Sequence, residues 1–86
     1  MLQVHELKIR PEYFDSVSRG KKSFEIRRGD RQYKLGDILV LREYVEQSQR
    51  YTGREVRVAV TYILIESCYV RSGYVVMGIR KVDEKS

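Results

Sequence analysis

Residues 54–65 decide the fold class, and they read Arg-Glu-Val-Arg-Val-Ala-Val-Thr-Tyr-Ile-Leu-Ile. Because successive side chains of a strand point to opposite faces, alternating chemistry predicts a β-strand with one buried face. A strand of this length can bend from one side of a small barrel to the other. Two sets of residues alternate along it: Val56, Val58, Val60, Tyr62 and Leu64 against Glu55, Arg57, Ala59 and Thr61.

Four further strands are predicted on either side of this segment. Alternation indicates three of them, and a run of four apolar residues beginning at Ile38 indicates a fourth that is buried on both faces. In the first strand, His5 shares a face with Leu7 and Ile9, while Lys8 lies on the opposite face. The predicted strands cover residues 4–9, 23–28, 38–44 and 74–80.

One short helix is predicted over residues 11–19. Pro11 stands where a first helical residue is favoured, and Gly20 stands where a left-handed residue ends a helix. Ile9 and Phe14 have the spacing of a hydrophobic staple. The remaining polar segments predict a turn over 33–37, a hairpin loop over 45–53, a loop over 66–73 and a polar tail over 82–86.

Five strands and one early helix are compatible with a small closed barrel or with an open sheet that carries the helix. Closure removes exposed strand edges, so the barrel is favoured. At 86 residues the chain is long enough for one modest core, and we expect a single domain over residues 1–86. The fold class is therefore α+β and mainly β.

Composition restricts the location and the chemistry. Apolar residues make up 42% and charged residues 34%, which is typical of a soluble globular domain. No apolar run approaches a membrane span, and the first residues lack a signal-peptide pattern, so we expect a cytoplasmic protein without membrane contact. Cys68 is the single cysteine and can form no internal disulfide. We predict no metal and no cofactor, and leave the oligomeric state open.

The positive charge is concentrated in one segment. Residues 19–31 contain six basic and two acidic residues, a local excess of +4 within a net charge of +5. Such an excess is the electrostatic pattern of a protein that meets phosphates or another polyanion, although a solvated basic face is equally compatible. Seven tyrosines could supply stacking surfaces for bases, or could be half-buried sheet residues.

Lys22, Glu25 and Arg27 form the constellation with the most chemistry. They surround the start of the predicted strand 23–28, where alternation points Glu25 and Arg27 to one face. Glu25 could accept a hydrogen bond from the amino group of a base while the two cations reach phosphate or carbonyl oxygens. The alternative is a salt-bridge cluster that only stabilises the sheet.

The same residues carry a family resemblance. Gly20, Lys22, Glu25 and Arg27 match the motif G-x-K-x-x-E-x-R, which resembles the signature of ASCH domains in the PUA-like superfamily. Similar text surrounds it at residues 7–9, 11–14, 35–39 and 74–79, and residues 5–9 with 28–31 resemble a small bacterial and phage branch of unassigned function. The resemblance implies a β-barrel of five to six strands, one or two short helices and a cleft beside the motif.

The resemblance also implies a function. Members of the family are suspected of binding RNA, so we predict a non-catalytic module that binds RNA or a nucleotide. The residues predicted to contact it are Lys8, Lys22, Glu25, Arg27, Arg28 and Arg31.

Two alternatives remain open. Related amidohydrolases that act on acetylated cytidine use a Lys with a Thr three residues later and a distant Glu. Here Lys22 matches that lysine but Glu25 occupies the place of the threonine, so a hydrolase would need Lys22, Glu25 or Ser23 in an unusual role. The other alternative is a protein-interaction or regulatory module that uses the basic face.

Three other residues have simpler predicted roles. A lone histidine on a first strand is more often a hydrogen-bonded structural residue than a proton carrier, so we expect the former for His5. Asp30 is predicted to accept hydrogen bonds in a turn, and Cys68 is predicted to be an inert thiol.

Overall fold

Five strands and one helix make up the fold in the computed structural model, which describes residues 2–65 and 68–82. The predicted α+β, mainly β class is confirmed. Parts of the predicted loop 66–73 and tail 82–86 lie outside the described residues. The elements are β1 (Val4–Ile9), α1 (Pro11–Ser18), β2 (Phe24–Arg28), β3 (Ile38–Val45), β4 (Arg50–Leu64) and β5 (Tyr74–Lys81).

The strands form one curled sheet in the order β1-β3-β4-β5-β2. β1 pairs with β3 in parallel, and the other pairs are antiparallel. Within the described residues, β1 and β2 therefore each have a single neighbouring strand. Curling brings these two edges close enough for Arg27 Nη2 to donate a hydrogen bond to the main-chain oxygen of Lys8 at 2.8 Å. The predicted barrel thus takes the form of a half-barrel with an open seam between β1 and β2.

The core lies on the concave face of this sheet. His5, Leu7 and Ile9 of β1 point into it, as the alternation predicts. Leu39, Val40 and Leu41 of β3 are all buried, which confirms the strand predicted to be buried on both faces. β4 and β5 contribute alternate residues: Val56, Val58 and Val60 from β4, and Val75, Met77 and Ile79 from β5.

Helix α1 closes one side of the core with Phe14 and Val17. Ile9 and Phe14 are both buried in the same cluster, as the predicted staple requires. Gly20 follows the helix at φ +74°, the left-handed conformation that its lack of a Cβ permits. The chain then turns, and the main-chain N–H of Lys22 donates a hydrogen bond to the main-chain oxygen of Ser16 at 3.0 Å. This bond fixes the position of the Lys22 main chain relative to α1. The helix contains no span long and apolar enough to cross a membrane, and it is the one helix of the described residues.

The predicted hairpin loop over 45–53 is wrong in length. β3 continues to Val45 and β4 already begins at Arg50, so the turn is four residues long. The ends of β3 and β4 next to this turn form a two-stranded ribbon, the β3–β4 ribbon, which projects beyond the core. Main-chain hydrogen bonds pair its strands, so the ribbon does not require alternating apolar residues. Tyr44 and Tyr51 pair across it with ring centroids 5.0 Å apart in an edge-to-face arrangement, a contact that stabilises such a ribbon.

Asp37 is a fully buried carboxylate that joins β1 to the turn before β3. It accepts hydrogen bonds from the main-chain N–H groups of Gln3 and Lys34, each at 3.0 Å, and lies 2.9 Å from His5 Nε2. Burial opposes ionisation, but these hydrogen bonds outweigh it and hold the pKa of Asp37 below its usual 3.8. His5 is buried in this pair, which confirms its predicted structural role.

Glu43 is a second buried carboxylate, and it ties the β3–β4 ribbon to α1. Arg54 donates to both of its oxygens at 2.9 Å, and Thr52 Oγ1 donates at 2.7 Å. Arg54 also lies 4.6 Å from the ring centroid of Phe14 and 3.6 Å from Asp15 Oδ1 on the helix. The hydrogen bonds from Arg54 and Thr52 hold the pKa of Glu43 below its usual 4.5, against the effect of burial.

These two carboxylates make the fold sensitive to acid. A carboxyl with a depressed folded-state pKa stabilises the protein above its unfolded pKa, and this contribution is lost as the pH falls through the folded pKa. We therefore expect the free energy of unfolding to decline as the pH falls below about 4.5. Urea unfolding of Glu43→Gln should give lower stability at pH 7 and a shallower decline in acid than the parent protein.

The exposed Glu46 provides the control for this measurement. Glu46→Gln removes one carboxyl without breaking a buried pair, so it should follow the pH profile of the parent protein. Parallel profiles for Glu43→Gln and the parent would contradict the assignment of acid sensitivity to Glu43.

Candidate functional site

Glu25 lies at the centre of the predicted constellation. Its Oε2 is 2.8 Å from Lys22 Nζ, and its Oε1 accepts a hydrogen bond from Arg27 Nε at 2.9 Å. The residue is only 2% exposed, and a carboxylate can be buried at this depth because each oxygen faces a cation. The structure thus brings Lys22, Glu25 and Arg27 together as one ion cluster.

Strand β2 turns its polar face inward. Glu25 is directly opposite Met77 and Arg27 is opposite Val75, and both of these β5 residues belong to the core face. The apolar residues of β2 consequently point outward, where Phe24 is 45% and Ile26 is 54% exposed. Alternation identifies the two faces of this strand, but the usual preference for burying apolar residues would assign them the wrong way round.

The ion cluster limits what Glu25 itself can do. Each of its oxygens already accepts a hydrogen bond from a cation, and the residue is buried, so a base amino group has little access to the lone pairs that remain. The cations are less constrained, since an ammonium has three donors and a guanidinium has five. Glu25 is therefore best placed to hold the two cations in position, and Lys22 and Arg27 retain donors for a ligand.

A cleft of about 590 Å³ opens beside this cluster. The end of β1, the start of α1 and the edge of β2 form its walls, and Lys8, Lys22, Glu25 and Arg27 are among its lining residues. The volume falls within the range of about 300–1,000 Å³ for small-ligand pockets. Among the described residues, no group of three or more His, Cys, Asp or Glu could hold a metal ion.

Aromatic rings hold the cations along the walls of the cleft. Lys22 Nζ lies 4.9 Å from the ring centroid of Phe24 and 5.2 Å from that of Tyr13. Lys8 Nζ lies 4.2 Å from the ring centroid of Tyr44. Each of these distances is within the range of a cation–π contact. The sequence alone does not identify Tyr13, Phe24 and Tyr44 as neighbours of these lysines, because residue counts do not reveal which side chains meet.

The free edge of β2 adds main-chain groups to the cleft. The N–H of Ile79 donates to the Ser23 oxygen at 3.0 Å, and the N–H of Gly29 donates to the Gly73 oxygen at 2.9 Å. Main-chain pairing alternates along an antiparallel strand, so Phe24 and Ile26 point their N–H and C=O groups away from β5. These groups face the seam and offer hydrogen bonds to anything that enters it.

Arg28 and Arg31 lie outside this cleft, in a second groove of about 450 Å³. Lys8 and Arg27 line both, so the two depressions share a wall. Tyr33 also lines the second groove. Burial raises the pKa of its hydroxyl, and the positive charges of Arg31 and Arg27 lower it by less.

Three remaining predictions concern single residues. Ser23 is exposed, and it is not among the described residues that line the cleft or the second groove. Cys68 is an exposed free thiol. Asp30 lies in a bend after β2, and its predicted hydrogen bonds stay a prediction.

Comparison with known proteins places the chain in a family. The family described as a domain of unknown function, DUF3850, matches residues 4–79. The chain belongs to this family. The match begins with β1 and reaches Ile79 of β5, so it includes the residues that line the cleft and the second groove of this DUF3850 domain.

A relative comes from a bacteriophage. Over 61 residues the DUF3850 domain is 44% identical to the uncharacterized 12.9 kDa protein in the GpA 3′ region of Escherichia phage P2. The aligned part covers 71% of this chain and 54% of the phage protein. The chain thus spans about half the length of that curated relative.

A solved structure has the same fold. The crystal structure of hypothetical protein PH0355 is similar to the DUF3850 domain with a TM-score of 0.66 at 20% identity. The similarity covers 94% of this chain and all of that chain. It supports the barrel-like, mainly β architecture.

Proposed function

We propose that this DUF3850 domain is a non-catalytic module that binds RNA or a nucleotide in the cleft beside Lys22, Glu25 and Arg27. The observation that carries the proposal is the position of Lys22 against the rings of Tyr13 and Phe24 in that cleft. Aromatic faces stack on bases, and lysine or arginine side chains bind the adjoining phosphates. The proposal includes the ASCH-like, PUA-like relationship suggested by the motif and a cytoplasmic site of action.

The charge of the cleft supports an anionic ligand. Its lining has four basic and two acidic residues, and one of the acids, Glu25, is already neutralised by Lys22 and Arg27. The other acid, Glu46, is exposed. A phosphate that enters the cleft therefore meets a local excess of positive charge at a site with its cations held in position.

The main-chain edge of β2 supports recognition of a base. The N–H and C=O groups of Phe24 and Ile26 face the seam, next to the exposed ring of Phe24. Unstacked bases in single strands are recognised by stacking and by hydrogen bonds to their edges. A base stacked on Phe24 could therefore be read by the main chain, with Glu25 holding the cations that bind its phosphate.

The proposal is tested by a residue-resolved NMR titration with an RNA pool, a matched DNA pool and free nucleosides, including acetylated cytidine, at physiological salt. We expect shifts concentrated on Lys22, Glu25, Arg27 and the facing end of β1. Diffuse shifts that fade as salt rises would overturn the proposal and favour a protein partner. Turnover of acetylated cytidine that is lost in Lys22→Ala would favour the amidohydrolase alternative.

Arg27→Ala provides a more specific prediction. If Arg27 contacts a phosphate, the variant binds RNA more weakly at low salt, and the slope of log affinity against log salt becomes shallower by about 0.7 for a single strand. Arg80→Ala is the matched control, since Arg80 is exposed on β5 and is not among the described residues that line the cleft or the second groove. An unchanged slope in Arg27→Ala would mean that Arg27 does not contact phosphate.

A further inference from the structure

We infer that the second groove extends the site, so that the ligand is a single-stranded nucleic acid of at least two nucleotides. This inference rests on the proposed function, because it takes the cleft beside Glu25 as the place of the first nucleotide. The second groove would then receive the adjoining nucleotide, with Tyr51 and Arg42 as its contacts in addition to Arg28 and Arg31.

The cleft and the second groove share a wall. Lys8 and Arg27 line both depressions, and the Arg27 guanidinium crosses the seam to the main-chain oxygen of Lys8 at 2.8 Å. The Arg27 guanidinium is thus fixed at the junction between the two depressions, and Lys8 lines the same junction. A phosphodiester that links two nucleotides has its negative charge at the corresponding position between them.

A continuous row of rings and cations joins the cleft to the second groove. Lys8 Nζ lies 4.2 Å from the Tyr44 ring, and the Tyr44 and Tyr51 rings are 5.0 Å apart. The guanidinium of Arg42 then lies 4.1 Å from the Tyr51 ring. The row leads from the cleft into the second groove, and such a sequence of aromatic and cationic side chains is the arrangement on which successive bases of a single strand stack.

The charge of the second groove favours an anion. Its lining has five basic residues against the two acids Glu6 and Asp30. Arg42 approaches Glu6 at 3.9 Å and Glu55 at 4.0 Å, and all three side chains are more than one-third exposed. Long contacts between solvated groups contribute little, so Arg42 can exchange them for a phosphate.

The volumes of the cleft and the second groove agree with one nucleotide in each. The second groove measures about 450 Å³ beside the 590 Å³ of the cleft, and each lies in the range of pockets for small ligands. A single mononucleotide would occupy the cleft and leave the second groove and its cations without an anion.

The test compares chain lengths. Affinities are measured at physiological salt for an equimolar mixture of the four mononucleotides and for a random tetranucleotide pool, with RNA and DNA versions side by side. We expect the preferred tetranucleotide pool to bind at least about tenfold more tightly than the mononucleotides, as one additional stacked base provides. An abasic tetranucleotide has the same phosphates but no bases, so it separates the contribution of stacking from that of charge. It should lose most of this gain in affinity.

Variants assign the gain to the second groove. Tyr51→Ala should weaken tetranucleotide binding by about tenfold and leave mononucleotide affinity within about twofold, because mononucleotides occupy only the cleft. Arg42→Gln is the second variant, with the same expected pattern, should Tyr51→Ala perturb the ribbon. Arg80→Ala is the control for a general change of charge, and it should leave the ratio of the two affinities unchanged.

The outcomes separate this inference from the proposed function. Mononucleotides that shift the cleft but bind as tightly as tetranucleotides would leave the proposed function intact and overturn the extended site. Equal loss of both affinities in Tyr51→Ala and Arg42→Gln would overturn it too. Failure of every nucleotide and oligonucleotide to shift the cleft would overturn the proposed function along with the inference.

Discussion

Replacing Asp37 by Ala should lower the free energy of unfolding by about 2–3 kcal/mol, within the range for leaving a buried donor without its acceptor. The change removes the acceptor for Gln3 N–H, Lys34 N–H and the ring of His5 in a single step. His5 is buried where β1 meets the turn before β3, so water has little access to its ring once the acceptor is lost, whereas Gln3 and Lys34 lie at the surface. Domains of this kind have a total stability of about 5–15 kcal/mol, so the variant should be partly unfolded when warm.

Urea unfolding at pH 7 measures the effect, and Glu46→Ala is the matched control. Glu46 is an exposed carboxylate in the turn between β3 and β4, so its removal should change stability by no more than about 0.5 kcal/mol. The pKa of Asp37 lies below its usual 3.8, so Asp37 stabilises the fold at neutral pH and its contribution is lost in acid. The difference between parent and Asp37→Ala should therefore narrow as the pH falls below that value. A loss under about 1 kcal/mol at pH 7 would show that the pair is not structural in the sense described.

Replacing Glu25 by Gln should separate specific binding from general attraction. The variant keeps the shape of the side chain but leaves Lys22 and Arg27 without their anion, so we expect a loss of stability of about 1–3 kcal/mol. The cleft becomes more positive, and weak binding to polyanions at low salt should be maintained or increased. Binding that depends on the positions of the two cations should nevertheless weaken by about tenfold, as expected for the loss of one charged hydrogen-bonding partner.

Glu46→Gln is the matched control, because Glu46 also lines the cleft but is exposed. Both variants remove one negative charge from the same cleft, so a purely electrostatic site would respond to them equally. We expect only Glu25→Gln to lose nucleotide affinity in the NMR titration. Equal strengthening by both changes would mean that Glu25 does not position the cations.

The strands could be predicted where apolar residues alternate over a buried face. β1 and β5 begin where predicted, because their buried residues follow the period of two: His5, Leu7 and Ile9 in β1, and Val75, Met77 and Ile79 in β5. β5 ends one residue later than predicted. The β3–β4 ribbon beyond the core could not be predicted in length. Its residues from Arg50 to Arg54 are exposed, so no buried face marks them as a strand.

The candidate site could be predicted only in its local part. Lys22, Glu25 and Arg27 lie within six residues of one another, so the motif places them together without knowledge of the fold. The contact of Lys8 with Tyr44 and the division of the basic residues between two grooves depend on how distant strands pair. The inward position of Glu25 is set by its pairing with Met77, which lies far along the chain.

The pairing of β2 also sets the order in which the site can assemble during synthesis. β2 has β5 as its neighbour in the sheet, and β5 leaves the ribosome after every other strand. The β1-β3-β4 unit can form earlier from closer contacts, while β2 waits for a partner that is separated from it by two other strands. The part of the core that β1, β3 and β4 build can therefore form before the cleft, whereas the core residues of β5 and the wall that carries Glu25 are added together. A chain interrupted within β5 would keep a partial sheet yet lack that wall.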